Sequence, residues 1–356
     1  MKNAKLLYFF CLFQANIGFS QDYLVEVNKL MNEQSSLCLI LGEDHFERNL
    51  PHQSLFIQKF FDLNEEFLIG LEIPDLYEKL VNDYVDGKSD SIFCVMNPIN
   101  NKHLNESILS LITLIKEYNE YKPNKLRIKC IDSPSDNISQ SLWAIKYNFK
   151  DIENIETLTL FNYFDLSFKD GKSHKANKIY NCLIKDFEDN NDLYKEILAE
   201  YFEEYVRNLK SLEIMFGFYD IYDFRREDYL YKNAEKLMQG DKKSLIFTGN
   251  MHADLDEENN GYTNLKLKSY SSRLKKKYDT RVYSILTQYC KKCNFFELFP
   301  APILINSGCD SIFDKKKNYI IFKSNRMSSE NFGYGRSDYV LVVNGGNVPN
   351  GTFDKK

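Results

Sequence analysis

The chain alternates short apolar runs with longer segments in which apolar residues recur at helical spacing. The apolar runs lie at 37–41 (LCLIL), 67–73 (FLIGLEI), 126–131 (LRIKCI) and 244–248 (SLIFT). The first, second and fourth are nearly continuous, which is typical of strands that are covered on both faces in a parallel sheet. We therefore predict that these runs are strands of one mainly parallel sheet.

Segments with helical periodicity lie between the runs, at 54–63, 104–121 and 223–239. Each places its apolar residues on one helical face. Strands that alternate with helices favour right-handed βαβ units, because a parallel connection needs a crossover. The pattern predicts a three-layer α/β/α fold with a mainly parallel central sheet.

Two further regions complete this prediction. Residues 150–222 are rich in Asp, Asn, Glu, Lys, Tyr and Phe and are predicted to be a helical insertion, most clearly at 192–215. Segments 279–287, 319–324 and 339–343 have strand character, and the last two are predicted to be late strands, antiparallel at an edge of the sheet. We predict a single domain over residues 21–356.

The first twenty residues have the pattern of an export signal. Lys2 and Lys5 precede an apolar run at 6–13 (LLYFFCLF), and the small residues Gly18 and Ser20 follow it. Cleavage is predicted between Ser20 and Gln21. The expected location is therefore periplasmic or secreted, with a buried first strand as the alternative interpretation.

Charge and hydropathy exclude two classes of protein. The formal net charge is −5. A general nucleic-acid binder needs a basic face to neutralise phosphates, so nucleic acid is not an expected partner. No apolar stretch is long enough to predict a transmembrane helix.

The cysteines allow a disulfide but do not form a zinc motif. The chain has 8 cysteines, and Cys11 lies in the predicted signal. Cys290 and Cys293 form a lone CxxC that no second pair follows, and Cys309 is single. In an oxidising compartment, a disulfide among these three is favoured over a zinc site.

Polar residues follow each of the four apolar runs. His45 follows the first, Glu72 lies at the end of the second, Asp132 follows the third and His252 follows the fourth. The two histidines occupy the same place in a repeated Gly-x-x-His pattern. Because the carboxyl ends of parallel strands meet at one edge of a sheet, we expect these four side chains in one cleft. Taken singly, each also has a structural interpretation, as a turn cap or a paired buried charge.

The helix before the fourth run adds Arg226 and Asn233, which are seven residues apart and therefore share a face. The Arg226 guanidinium is predicted to hold Glu72, a substrate carboxylate or a developing oxyanion. Arg225 is the competitor for this inward position, and a solvated charged face is the alternative interpretation of the helix.

These motifs, in this order, resemble those of erythromycin esterase-like proteins. The motifs are Gly42-Glu43-Asp44-His45, GLE with Glu72, LRIKCID with Asp132, RREDYLYKN at 225–233 and GNMHAD at 249–254. The wider clan includes the Tiki/TraB proteins and haem-binding lipoproteins. The resemblance covers about residues 37–255, without 150–210. The esterases carry Gly-Glu-x-x-His and, near the fourth strand, two histidines. Here Gly249 stands where the first of these two falls and only His252 is kept, which looks more like the Tiki/TraB branch.

The resemblance implies a cleft on a three-layer α/β fold, with three alternatives for its chemistry. In the esterases, a histidine activates water without a metal. In the Tiki branch, His and Glu residues are associated with a divalent metal and peptide cleavage. The haem-binding branch implies a ligand-binding protein without catalysis.

The first alternative is hydrolysis of an ester or amide in a small-molecule or peptide substrate. His45 is the expected general base, since an ordinary histidine pKa of about 6.5 suits neutral pH. Glu43 or Glu72 orients its ring, and Arg226 and His252 stabilise the oxyanion. No Gly-x-Ser-x-Gly elbow is present. The residues assigned to catalysis are Glu43, His45, Glu72, Arg226 and His252, and those assigned to substrate binding are Asp132, Asn233 and Asn250.

The other two alternatives use the same cleft. A divalent metal is predicted to bind His45, Glu72 and His252, with Glu43 as the base, although HExxH is absent. A binding protein would hold its ligand in an aromatic-lined cleft. The residues leave open whether the cofactor is absent or is one divalent metal.

Overall fold

The predicted strands are present in a computed structural model of the chain. The structure describes residues 38–43, 49–62, 67–90, 92, 102–121, 126–134, 138–162, 173–217, 224–239, 242–256, 268–289, 319–323 and 336–343. The strands are β1 (Cys38–Glu43), β2 (Phe67–Pro74), β3 (Arg127–Asp132), β4 (Lys243–Gly249), β5 (Val282–Tyr289), β6 (Tyr319–Lys323) and β7 (Tyr339–Val343). They form one sheet in the order β3-β2-β4-β1-β5-β7-β6.

Helices separate most of the strands along the chain. The α-helices are α1 (Leu50–Asp62), α2 (Glu78–Val85), α3 (Lys102–Tyr121), α4 (Ile138–Phe149), α5 (Thr159–Asn162), α6 (Ser173–Asp189), α7 (Asn191–Leu198), α8 (Phe202–Gly217), α9 (Phe224–Leu237), α10 (Asn250–Ala253) and α11 (Tyr270–Tyr278). The three-layer α/β prediction is confirmed.

The strand pairings are mainly parallel, as predicted. β1 pairs with β5, β5 with β7, and β2 with β3, all in parallel. Of the two late strands, only β6 is antiparallel, and it lies at the edge beside β7. The predicted antiparallel edge is therefore present for one strand rather than two.

The chain divides into two compact units. One comprises Met1–Glu65 and Phe247–Lys356, and the other comprises Glu66–Ile246. We call them the outer unit and the middle unit, according to their positions along the chain. The single domain expected over residues 21–356 stays a prediction.

In the middle unit, two asparagine side chains form hydrogen bonds with backbone groups along the edge strand β3 and at the residue before it. Asn119 donates to the carbonyl oxygen of Leu126 and accepts from its amide, at 3.1 and 2.8 Å. Asn82 does the same for Ile128, at 2.8 and 3.1 Å. An edge strand with free amides and carbonyls invites pairing with another chain. These carboxamides block that pairing and hold β3 in place.

The segment that was predicted as a helical insertion is mainly helical in its described part, with turns at 150–154. Residues 173–217 form α6, α7 and α8, joined by short turns and a 3-10 helix. Aromatic rings pack these helices together. Phe187 lies edge-on to Tyr194 at 5.2 Å between ring centroids, and Phe149 of α4 lies edge-on to Tyr205 at 5.4 Å. Edge-to-face packing of this kind adds to simple burial.

In the outer unit, β1 is buried along its whole length. All six of its residues are buried. β1 and β5 pair in register, with Leu39 opposite Tyr283 and Gly42 opposite Leu286. This burial explains the uninterrupted apolar run, because both faces of the strand are covered.

Several sequence predictions fall outside the described residues. These are the export signal at 1–20 and the disulfide among Cys290, Cys293 and Cys309. Within the described ranges, no helix combines the length and apolar character that crossing a bilayer requires.

Candidate functional site

In the outer unit, Glu43 ends β1 and is held by the helix that follows. Its Oε1 lies 3.0 Å from Nε2 of His52, and its Oε2 accepts from Nε2 of Gln53 at 2.7 Å. His52 is 0% exposed and Glu43 is 6% exposed. A buried carboxylate needs such partners, because water does not solvate it. The result is a buried Glu–His–Gln cluster at the carboxyl end of a parallel strand.

The same strand end closely approaches α10, which begins directly after β4. A Cβ atom on Gly42 would lie 2.6 Å from Cβ of Ala253 and 2.8 Å from Oδ1 of Asn250. Only glycine fits this approach, so the glycine of the first Gly-x-x-His pattern serves packing. It brings the end of β1 against the segment that carries the second pattern.

Asn250 and His252 are both buried in this segment. The Asn250 amide donates to the carbonyl oxygen of Thr287 at 3.0 Å, and its oxygen accepts from the Thr287 amide at 3.1 Å. Asn250 therefore ties α10 to β5. The predicted role of Asn250 in substrate binding is separate from this contact and stays a prediction. His252 is 2% exposed, and its ring stacks against Tyr270 at 6.4 Å between centroids.

His45 lies outside the described residues, so the distance between the His45 and His252 imidazoles stays open. Whether His45, Glu72 and His252 bind one metal ion therefore also stays a prediction. Among the residues that the structure describes, no three His, Cys, Asp or Glu side chains are grouped as metal ligands.

In the middle unit, Arg226 of α9 binds two carboxylates at the ends of neighbouring strands. Its Nε and Nη2 donate to the two oxygens of Asp132, at 2.9 and 2.7 Å, and Nη2 also donates to Oε1 of Glu72 at 2.8 Å. The pairing of Pro74 with Asp132 places these strand ends side by side. The structure thus brings together three of the predicted residues, and Glu72 is one of the three alternatives that the sequence left open for Arg226.

The electrostatics of this cluster fix the guanidinium in its charged form. Burial alone would disfavour the cation, but Asp132 and then Glu72 outweigh it and raise the pKa of Arg226 above its ordinary value. Its side chain is 17% exposed, against 7% for Glu72. Arg225, the competitor on the same helix, is exposed.

Asn233 lies on the same face of α9 as Arg226, about two helical turns further along. Its amide donates to the carbonyl oxygen of Ile131 at 3.2 Å, and its oxygen accepts from Nζ of Lys236 at 2.9 Å. These contacts fasten α9 to β3. The predicted role of Asn233 in substrate binding is separate from them and stays a prediction.

The structure adds a half-buried acid that the sequence did not single out. Asp75 follows β2 directly, and its Oδ2 accepts from the hydroxyl of Tyr229 at 2.5 Å. Burial raises the pKa of Asp75 to about 6, and the Tyr229 hydrogen bond opposes this shift only in part. The same burial, together with the charge of Asp75, raises the pKa of Tyr229.

Sequence analysis also missed His52 and Gln53. The available signal was a polar pair in the first turns of a helix whose other described residues up to Ile57 are buried. Polar side chains inside such a buried stretch require partners, and Glu43 is nine residues before His52. That partner depends on how α1 turns back over β1, which periodicity does not determine.

Comparisons with known proteins show likeness in structure and none in sequence. No family model matches the chain, and no curated protein matches it. A crystal structure of a Bacillus cereus protein matches with a TM-score of 0.58 at 15% identity, covering 92% of this chain and 93% of that chain.

Two further solved structures carry functional names. A mutant of erythromycin esterase EreC, in its open conformation, matches with a TM-score of 0.58 at 15% identity, over 90% of this chain and 93% of that chain. A succinoglycan biosynthesis protein matches with a TM-score of 0.56 at 13% identity, over 90% of each chain. At such identities the likeness concerns the fold alone. The resemblance to the erythromycin esterase-like group is thus confirmed at the level of fold: this chain has the α/β fold that erythromycin esterase EreC adopts.

Proposed function

We propose that the protein is an exported hydrolase that cleaves an ester or amide with water activated by His45. The observation that carries the proposal is the buried Glu43 carboxylate at the end of β1, held by His52 and Gln53. A buried carboxylate at the carboxyl end of a parallel strand is placed where α/β folds bind their ligands. Export is part of the proposal and rests on the N-terminal sequence pattern.

Glu43 suits the role of positioning the general base. It lies two residues before His45. A carboxylate offers about four lone-pair sites, and the two bonds from α1 use only part of this capacity. The remainder can accept a proton of the His45 ring and stabilise the imidazolium that forms. Because α1 fixes the carboxylate, it does not reorganise during the reaction.

The reaction then needs only water and the substrate. His45 takes a proton from water as the water oxygen bonds to the carbonyl carbon. The tetrahedral intermediate collapses, its bond to the leaving oxygen or nitrogen breaks, and His45 returns the proton to the leaving group. Arg226 and His252 stay the proposed stabilisers of the oxyanion.

The fold supports an ester as the first substrate to test, because a structure of the same fold is named an erythromycin esterase. The purified chain is assayed against erythromycin, a series of nitrophenyl esters and a peptide, with and without chelator. We expect ester cleavage that persists in chelator. His45→Ala should lower kcat/KM by about 10²–10⁴-fold, because the general base is lost.

The control is His103→Ala, which removes a histidine of α3 rather than one that follows a strand. Its kcat/KM should equal that of the wild type. Absence of cleavage of every substrate, or equal activity of His45→Ala and wild type, would contradict the proposal. Chelator-sensitive turnover with stoichiometric metal would replace it with the metal-dependent alternative.

His52 is expected to act as a positioning residue, since it is fully buried and touches Glu43. His52→Ala should lower kcat by about 10- to 100-fold with little change in KM, because Glu43 loses its orientation. His52→Gln carries an amide at a similar reach and should recover most of the activity. A purely structural role predicts instead that the remaining folded fraction of His52→Ala has wild-type kcat and pH profile.

A further inference from the structure

The one-turn helix α10, which carries His252, depends on other elements for its position. It has four residues, and its N-cap residue is Gly249, which has no side chain to cap it. A helix this short does not hold its shape alone, because nucleating one turn fixes several residues for few hydrogen bonds. The direction in which the His252 side chain points is therefore set by the bonds that fasten α10 to its neighbours in the outer unit.

The first of these bonds come from Asn250, two residues before His252. Its carboxamide donates to the carbonyl oxygen of Thr287 at 3.0 Å and accepts from the amide of the same residue at 3.1 Å. The side chain is 8% exposed. Two bonds to one peptide group of β5 resist both sliding and rotation of α10 against that strand.

The second set of bonds comes from Asp254, two residues after His252. Asp254 is 0% exposed, and its Oδ1 accepts from the amides of Asp256 at 2.9 Å and Arg336 at 2.7 Å. The amide of Leu255 donates to the carbonyl oxygen of Arg336 at 2.6 Å. Hydrogen bonds to an ionised carboxylate are stronger than those between neutral groups. They tie the end of α10 to the segment that leads into β7.

Between these two attachments, the His252 ring is closely surrounded. It is 2% exposed and lies against the ring of Tyr270, which is itself fully buried. The hydroxyl of Ser284, on β5, donates to the carbonyl oxygen of Ala253, the residue next to His252. Protein interiors leave little room for a side chain to turn. A shift of α10 would therefore change the orientation of the ring.

We propose that Asn250 and Asp254 are positioning residues, which hold α10 from both ends and thereby fix the orientation of the His252 ring. The consequence for catalysis rests on the proposed hydrolase function, in which His252 stabilises the oxyanion. Such stabilisation is effective when the donor is oriented before the reaction begins. Neither Asn250 nor Asp254 has to touch the substrate, because each acts through the backbone beside His252.

Nuclear magnetic resonance of the full chain, with ¹⁵N in the histidine rings, tests the positioning directly. The chain has 5 histidines, and His252→Gln identifies the His252 signals by their loss. Asn250→Ala and Asp254→Ala should shift or split these signals, because a loosened α10 adopts more than one position. Asp254→Asn keeps an oxygen that can accept from both amides and should leave the signals close to those of the wild type. Where an alanine variant does not fold, serine at the same position replaces it, since a water molecule can bind beside its hydroxyl.

The kinetic measurement separates kcat from KM for an ester that the wild type cleaves. Both alanine variants should lower kcat about tenfold with little change in KM, because the oxyanion donor is misaligned. Asp254→Asn should keep most of the wild-type kcat. Asn190→Ala and Asp192→Ala are the matched controls, since both side chains are exposed in the middle unit, and they should equal the wild type in both measurements.

Three results would overturn the inference. The first is unchanged His252 signals in both folded variants, and the second is altered signals with wild-type kcat. The third is a loss of activity in Asp254→Asn as large as in Asp254→Ala, which would assign the effect to the charge rather than to the hydrogen bonds. If the wild type cleaves no ester, the hydrolase proposal fails, and the ring signals still decide whether Asn250 and Asp254 orient His252.

Discussion

Replacing Arg226 with methionine is expected to destabilise the protein by about 3–5 kcal/mol, which is the usual cost of removing one partner from a buried ion pair. Arg226 binds two carboxylates through three hydrogen bonds of 2.7–2.9 Å. Methionine keeps the apolar stem but removes the guanidinium that Asp132 and Glu72 share. The cost arises from those two charges rather than from lost packing.

Urea unfolding followed by fluorescence measures this effect, because the chain has 1 tryptophan. Trp143 lies in α4 of the middle unit, stacked on Tyr147 at 5.5 Å between centroids. Arg225→Met is the matched control on the same helix and should change the free energy of unfolding by less than about 0.5 kcal/mol. Adding Asp132→Asn to Arg226→Met should recover part of the loss. Equal midpoints for Arg226→Met and Arg225→Met would refute the buried ion-pair interpretation.

Replacing Asp75 with asparagine is expected to make stability less dependent on pH. The pKa of Asp75 rises from the ordinary 3.8 to about 6 on folding. Between these values the folded protein binds more protons than the unfolded chain, so this group lowers wild-type stability as the pH rises from about 4 to about 6. Above about pH 7 its contribution is constant, because the carboxyl is then ionised in both states. Asparagine does not titrate, and its oxygen still accepts from Tyr229.

The free energy of unfolding of Asp75→Asn, minus that of the wild type, should therefore increase by about 2–3 kcal/mol between pH 4 and pH 7. Urea unfolding at four or five pH values gives this difference directly. Asp192→Asn is the control, since Asp192 is fully exposed, and its difference from wild type should be flat with pH. A flat profile for Asp75→Asn, or one of opposite sign, would show that Asp75 ionises normally in the folded protein.

The sequence by itself determined the sheet and which edge of it carries Glu72 and Asp132. Continuous apolar runs mark buried parallel strands because both faces of such strands are covered. The carboxyl ends of parallel strands share an edge, so Glu72 and Asp132 were predicted together. Helix periodicity placed Arg226 and Asn233 on one face but left Arg225 as the competitor, and it is the structure that places Arg226 on both carboxylates.

Only the tertiary structure decided the remaining features. The bond of His52 to Glu43, the approach of α10 to Gly42 and the bonds of Asn250 to Thr287 all depend on how elements pack. Periodicity tells which face of a helix is buried but not which strand end that face meets. Polar residues inside an apolar pattern indicate that each has a hydrogen-bond partner. Only the fold identifies that partner, because it lies on another element, and separation along the chain does not give separation in space.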